Sequence, residues 1–233
     1  MIERAGTTGG IDVDAFGACI PSLCEFGRAP AVIYGTSIGA LTGDRFQVNI
    51  DAGFARWVLL GQLKAGPTLV ITGYTAITDG SGRKNLTFKN TFKPVAAASS
   101  TIAATPVTDY VAGNQPRPVA GLLGVWTNTD PSTGYIARLE VSTAADGSLR
   151  VHELGACGGG TCENGTVPGV TYGASTTSRT ASKFIASFNF GYSLHQVVAS
   201  YSSHTGVLTV ASYTQYVDAS GRSNVEITDT FQR

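Results

Sequence analysis

Residues 155–175 read GACGGGTCENGTVPGVTYGAS, and residues 17–37 read GACIPSLCEFGRAPAVIYGTS. The two align without a gap at an offset of 138, and Gly17, Ala18, Cys19, Cys24, Glu25, Gly27, Pro30, Val32, Tyr34, Gly35 and Ser37 all return as identical residues. Further along, DGSGRKN at 79–85 returns as DASGRSN at 218–224, Tyr74-Thr75 as Tyr213-Thr214, and Thr91-Phe92 as Thr230-Phe231, now at an offset of 139. Agreement in the same order along the chain defines a tandem repeat. Repeat two opens with Gly124-Val125-Trp126-Thr127-Asn128 and a turn at 130–134, and repeat one has no counterpart of either. Ile2-x-Arg4 is aligned with Ile136-x-Arg138. The expected division is a truncated first repeat at 1–94, an Ala/Ser/Thr/Pro-rich linker at 95–121, and a complete second repeat at 122–233. Pro106, Pro116 and Pro118 make the linker extended.

Apolar residues alternate with period two through repeat two, the pattern of half-buried strands. Phe184, Ala186, Phe188 and Phe190 share one face. His195, Val197 and Ala199 oppose Leu194, Gln196 and Val198. Turn signals such as Asp146-Gly147 and Asp218-Ala219-Ser220-Gly221 separate the runs. The expected fold is all-β, a tandem of two antiparallel meander barrels of about eight strands each, the first lacking its opening strand. Closure removes the exposed edges of a meander. For repeat one, segment 106–111 of the linker or a strand from a second molecule, in a strand-swapped homodimer, is expected to fill the gap.

Composition narrows the partners. Sixteen basic residues balance sixteen acidic ones, and charged residues make up 14% of the chain, so there is no electrostatic footprint for nucleic acid. No apolar run reaches the length of a membrane-spanning helix. Met1-Ile2-Glu3-Arg4 is not followed by the apolar stretch of a signal peptide, yet two Cys-x4-Cys pairs point to an oxidising compartment. A secreted or extracytoplasmic location is therefore expected. Cys19/Cys24 and Cys157/Cys162 are read as local disulfides. A zinc site would need about four ligands, and a redox motif would carry the shorter Cys-x-x-Cys spacing.

Gly124-x-Trp126 at the first strand, the up-and-down pattern after it and the closing Asp229-Thr230-Phe231 resemble the calycin group, the lipocalins and avidins. The resemblance covers repeat two. It implies a barrel and a small-ligand function.

Trp126, Arg138, Tyr172, Tyr192 and His195 are the candidate ligand-binding residues. Glu25 with Arg83, and Glu163 with Arg222, are read as structural charge pairs closing one barrel end. The histidines all lie in repeat two, and Trp57 stands where His195 does. No Gly-x-Ser-x-Gly elbow and no Ser/His/Asp set occurs in both repeats, so no catalytic residue is assigned. No cofactor or metal is expected. The leading function is a secreted, non-catalytic protein holding a small, mostly apolar molecule in a barrel. A bivalent module for glycan or protein is the first alternative, and an enzyme with its active site in a barrel cavity is the second.

Overall fold

The computed structural model describes residues 2–5, 10–18, 23–94, 118–175 and 178–233, and among them every regular element is a strand. Repeat one contributes β1 (Ile2–Ala5), β2 (Gly10–Ala18), β3 (Leu23–Tyr34), β4 (Arg45–Asp51), β5 (Ala55–Lys64), β6 (Thr68–Ile77) and β7 (Leu86–Phe92). Repeat two contributes β8 (Gly124–Asn128), β9 (Ile136–Thr143), β10 (Leu149–Cys157), β11 (Gly160–Tyr172), β12 (Lys183–Asn189), β13 (Ser193–Ser202), β14 (Val207–Tyr216) and β15 (Val225–Gln232). Within each repeat, every strand pairs antiparallel with the next. β1 to β7 form a seven-stranded sheet, whereas β8 to β15 close into an eight-stranded barrel. β8 makes the closure, pairing with β9 on one side and β15 on the other.

Repeat one has no counterpart of β8, and among the described residues no strand is bonded to the outer edge of β1 or β7. The linker segment 106–111, expected as a filling strand, lies outside the described residues. Register corrects the alignment of the opening strand. Ile2 pairs with Val13, and the repeat-two counterpart of Val13, Val151, pairs with Val141. Ile2 thus corresponds to Val141, not to Ile136. The reason is the pairing of β1 with the first part of β2, Gly10 to Val13.

The linker boundary also moves. Described residues 118–121 belong to the unit formed by repeat two. Ala181 donates to the Pro118 carbonyl at 3.0 Å and Arg233 to that of Gly121 at 2.6 Å. The same unit takes in Gly35–Leu41, where Gly35 bridges Val225 in parallel and receives the N–H of Glu226 at 3.0 Å.

The barrel of repeat two is filled by its own side chains. Leu122, Trp126, Leu139, Val151, Phe184, Val197, Leu208 and Phe231 are buried in one cluster. The core of repeat one is a separate cluster around Val48, Ile50, Trp57 and Leu59. Among the described residues no helix is long and apolar enough to cross a membrane.

Candidate functional site

One irregularity recurs in both repeats and builds the site. In β2–β3 the register shifts between Ala15 and Phe16, leaving Phe26 as the extra residue between Glu25 and Gly27. In β10–β11 it shifts between Glu153 and Leu154, leaving Asn164 between Glu163 and Gly165. A β-bulge of this kind re-aims a side chain. It is supported by glycine at positive φ, 127° at Gly27 and 95° at Gly165, where a Cβ is strained. The repeated Gly17 and Gly155 have a second reason. A Cβ there would meet the Phe26 ring at 2.1 Å or the Asn164 amide nitrogen at 2.9 Å, so glycine makes room for the bulged side chain.

The bulge delivers different chemistry in the two repeats. In repeat two the Asn164 amide donates to Glu153 Oε1 at 2.8 Å. Glu153 Oε2 lies 3.4 Å from His195 Nε2, and His195 Nδ1 lies 2.8 Å from the Thr214 hydroxyl. Glu153 Oε2 and His195 Nε2 are both buried, and the alignment between them falls short of a hydrogen bond. Glu153 is 1% exposed and His195 7%. Aromatic rings continue outward from them: Phe188 to Phe190 at 6.0 Å, Phe190 to Tyr192 at 6.1 Å, and Phe190 stacked on His195 at 5.8 Å. The ladder runs from buried Phe188 to half-exposed Tyr192.

In repeat one the matching positions are Ala15 for Glu153, Phe26 for Asn164, Trp57 for His195 and Ala52 for Phe190. Phe26 packs on Trp57 at 4.5 Å and Phe54 meets Trp57 edge-on at 5.7 Å. The same backbone therefore carries an apolar cluster in one repeat and a buried polar one in the other.

The barrel wall is incomplete beside this cluster. β11 pairs with β12 only from Gly169 to Tyr172, opposite Ala186 to Lys183. Gly160–Pro168 and Ser187–Asn189 are thus not joined across that side. This seam runs past Asn164.

The five ligand candidates do not converge. His195 and Tyr192 share the aromatic end. Trp126 does not: it is fully buried at the core, its indole N–H donating to the Leu122 carbonyl at 2.9 Å, with Arg233 stacked 4.3 Å from its ring. Tyr172 is 3% exposed, and burial pushes its hydroxyl well above the ordinary phenol range. Arg138 pairs with Glu140 at 2.8 Å.

The charge pairs are corrected as well. Arg222 bonds Asp218 at 2.6 Å and the Ser220 hydroxyl at 2.8 Å, and Arg83 makes the same contacts with Asp79 and Ser81. The turn places aspartate and arginine four residues apart, so each arginine closes its own turn. Glu163 instead bonds His152, which also contacts Glu140 at 3.1 Å. Glu25 is exposed and forms no ion pair among the described residues. Cys157 and Cys162 are bridged and Cys24 is disulfide-bonded, while Cys19 lies outside the described residues.

Glu153 and Asn164 were not among the candidates. The signal for them was present: three positions that pack together turn from polar to apolar between the repeats. Among the described residues no group of three or more His, Cys, Asp or Glu side chains is placed to hold a metal. Comparison with protein-family models, curated proteins and solved structures finds no match to this chain.

Proposed function

We propose that the chain is a non-catalytic binding protein whose second repeat takes a small, mostly apolar molecule at the seam end of its barrel. The ligand's ring lies against Phe190 and Tyr192, and its polar end turns toward His195 and Glu153. One observation carries this reading: the fold accepts Ala15, Phe26 and Trp57 at the positions where repeat two places buried Glu153, half-buried Asn164 and buried His195. Burying a charged and hydrogen-bonded group costs stability that an apolar cluster does not, so its retention favours a use. The filled lower core supports a ligand at the end of the barrel over one in its middle. The repeats differ at these positions, which favours one site per chain over a bivalent module. A disulfide within the second repeat fits an extracytoplasmic location.

Native mass spectrometry of freshly purified protein tests the reading, with the fluorescent apolar dye 1-anilinonaphthalene-8-sulfonate as a second probe. The wild type is expected to carry extra mass that leaves on denaturation, or to bind the dye. A variant carrying Glu153→Ala, Asn164→Phe, Phe190→Ala and His195→Trp is expected to do neither. Equal loading of the two proteins, or none in either, removes the site from this end of the barrel.

A further inference from the structure

Repeat two has a cleft whose lining includes none of Glu153, Asn164, Phe190, Tyr192 or His195. It is a cleft of about 670 Å3 between the β8–β9 turn at Asp130–Gly134 and the tip of the disulfide hairpin at Cys157–Thr161, with Arg138 in its lining. That volume lies within the range of small-molecule sites, roughly 300–1,000 Å3.

Both walls are held in place. Asp130 Oδ1 accepts from the Ser132 N–H at 2.9 Å and the Ser132 hydroxyl at 2.6 Å, and the Asp130 N–H donates to Asn128 Oδ1 at 2.9 Å. The facing wall is stapled by Cys157–Cys162. A pre-formed cleft spares a ligand the cost of ordering it.

The chemistry of the lining selects a class. The Ser132 hydroxyl first, and its N–H second, hold the Asp130 carboxyl below the usual carboxylate range, burial opposing. Asp130 therefore offers an ionised acceptor. Arg138 offers donors: its side chain is 43% exposed, and Glu140 engages Nη2 at 2.8 Å while the guanidinium carries further N–H groups. The two charges are opposite, so the lining favours neither sign of ligand. It contains no aromatic ring, so a flat aromatic molecule has nothing to stack on. Gly160 borders the cleft, where an added Cβ would meet nothing within 4 Å and φ is not in the positive region. Its bare main chain leaves that wall open.

We propose that this cleft binds a neutral, hydroxyl-rich molecule of the short-saccharide type, through Asp130 and Arg138 of its lining. Hydroxyls donate to the first and accept from the second, and neither contact requires net charge.

The experiment is a titration of the 15N-labelled full chain with maltotriose, cellobiose, laminaribiose and N,N′-diacetylchitobiose at millimolar concentration, followed by amide shifts. At least one sugar is expected to move resonances confined to 130–138 and 156–161. Arg138→Ala should weaken that binding about tenfold or more, the loss of a hydrogen bond to a charged group. Gly160→Trp, which fills the cleft from an open and unstrained position, should abolish it with the rest of the spectrum unchanged. Absence of shifts at the cleft with all four sugars overturns the proposal. So does binding that survives Gly160→Trp. The seam variant, with four substitutions elsewhere, should bind the same sugar as the wild type, which keeps the two sites separable.

Discussion

Glu153 and His195 are buried side by side in the barrel, with Asn164 and Thr214 beside them. The Asn164 amide satisfies one Glu153 oxygen and the Thr214 hydroxyl one imidazole nitrogen, while Oε2 and Nε2 face each other without a hydrogen bond. Removing one partner leaves the other uncompensated, which typically costs about 3–5 kcal/mol. Glu153→Ala and His195→Ala are therefore each expected to lose stability on that scale in urea denaturation, and a loss near zero for either would mean the pair is solvated. His152, on the outer face, behaves differently. Its imidazole is held above the ordinary range, by the bond to Glu140 first and by that to Glu163 second, burial opposing. A raised folded-state pKa stabilises fully below the unfolded value, about 6.5, and the contribution disappears as pH climbs through the raised value. Glu140 is shifted down, chiefly by the same bond, so its contribution is present above its unfolded value and lost as pH falls through the folded one. His152→Gln should flatten the decline in stability that the wild type shows above about pH 6.5. An unchanged pH slope in the variant would assign that decline to other groups.

At the scale of elements, the hairpin β10–β11 is the part that repeat two extends beyond its own barrel seam. The disulfide closes a short loop near its tip, with a sequence separation of 5. Loop-closure entropy for so short a loop gives a contribution on the order of 2 kcal/mol. Cys157→Ser with Cys162→Ser should shift the denaturation midpoint accordingly. The missing β11–β12 bonds set a further expectation: in hydrogen exchange, Gly160–Val167, bonded to β10 alone, should open faster than Leu194–Ser200 of β13, which pair on both sides. Equal protection of the two segments would mean that the seam is closed in solution. These elements were only partly legible in the sequence. Period two on β13 separated His195, Val197 and Ala199 from their neighbours, and the buried face matches. The same rule fails on β9, where Ile136 and Leu139 are both buried. The register shift between Leu154 and Gly155 on the facing strand lies between them, and a bulge resets the alternation that a linear pattern assumes. The Asp-x-Ser-Gly-Arg turn was legible as a turn, but its arginine was assigned to a distant glutamate. Local hydrogen bonds within five residues win because they need no additional ordering of the chain.

For the whole molecule, the repeat is the most informative feature of the sequence, and its differences say more about function than its identities. Gly17 and Gly155, Gly27 and Gly165, and the two Asp-x-Ser-Gly-Arg turns recur because the backbone needs them. Glu153, Asn164 and His195 do not recur, and the matching residues in repeat one pack as a satisfied apolar group. The central claim is that this polar cluster serves binding and is not required by the fold. Equilibrium urea denaturation of the variant Glu153→Ala/Asn164→Phe/Phe190→Ala/His195→Trp, set beside the wild type, tests it most directly. Replacing buried polar side chains that fall short of full hydrogen bonding by packed apolar residues is often neutral or stabilising, by about 1–4 kcal/mol in the case of buried ion pairs, and that is the expected result. A loss of about 3 kcal/mol or more, on the scale of a broken buried pair, would show that the cluster holds the barrel together and contradict the account.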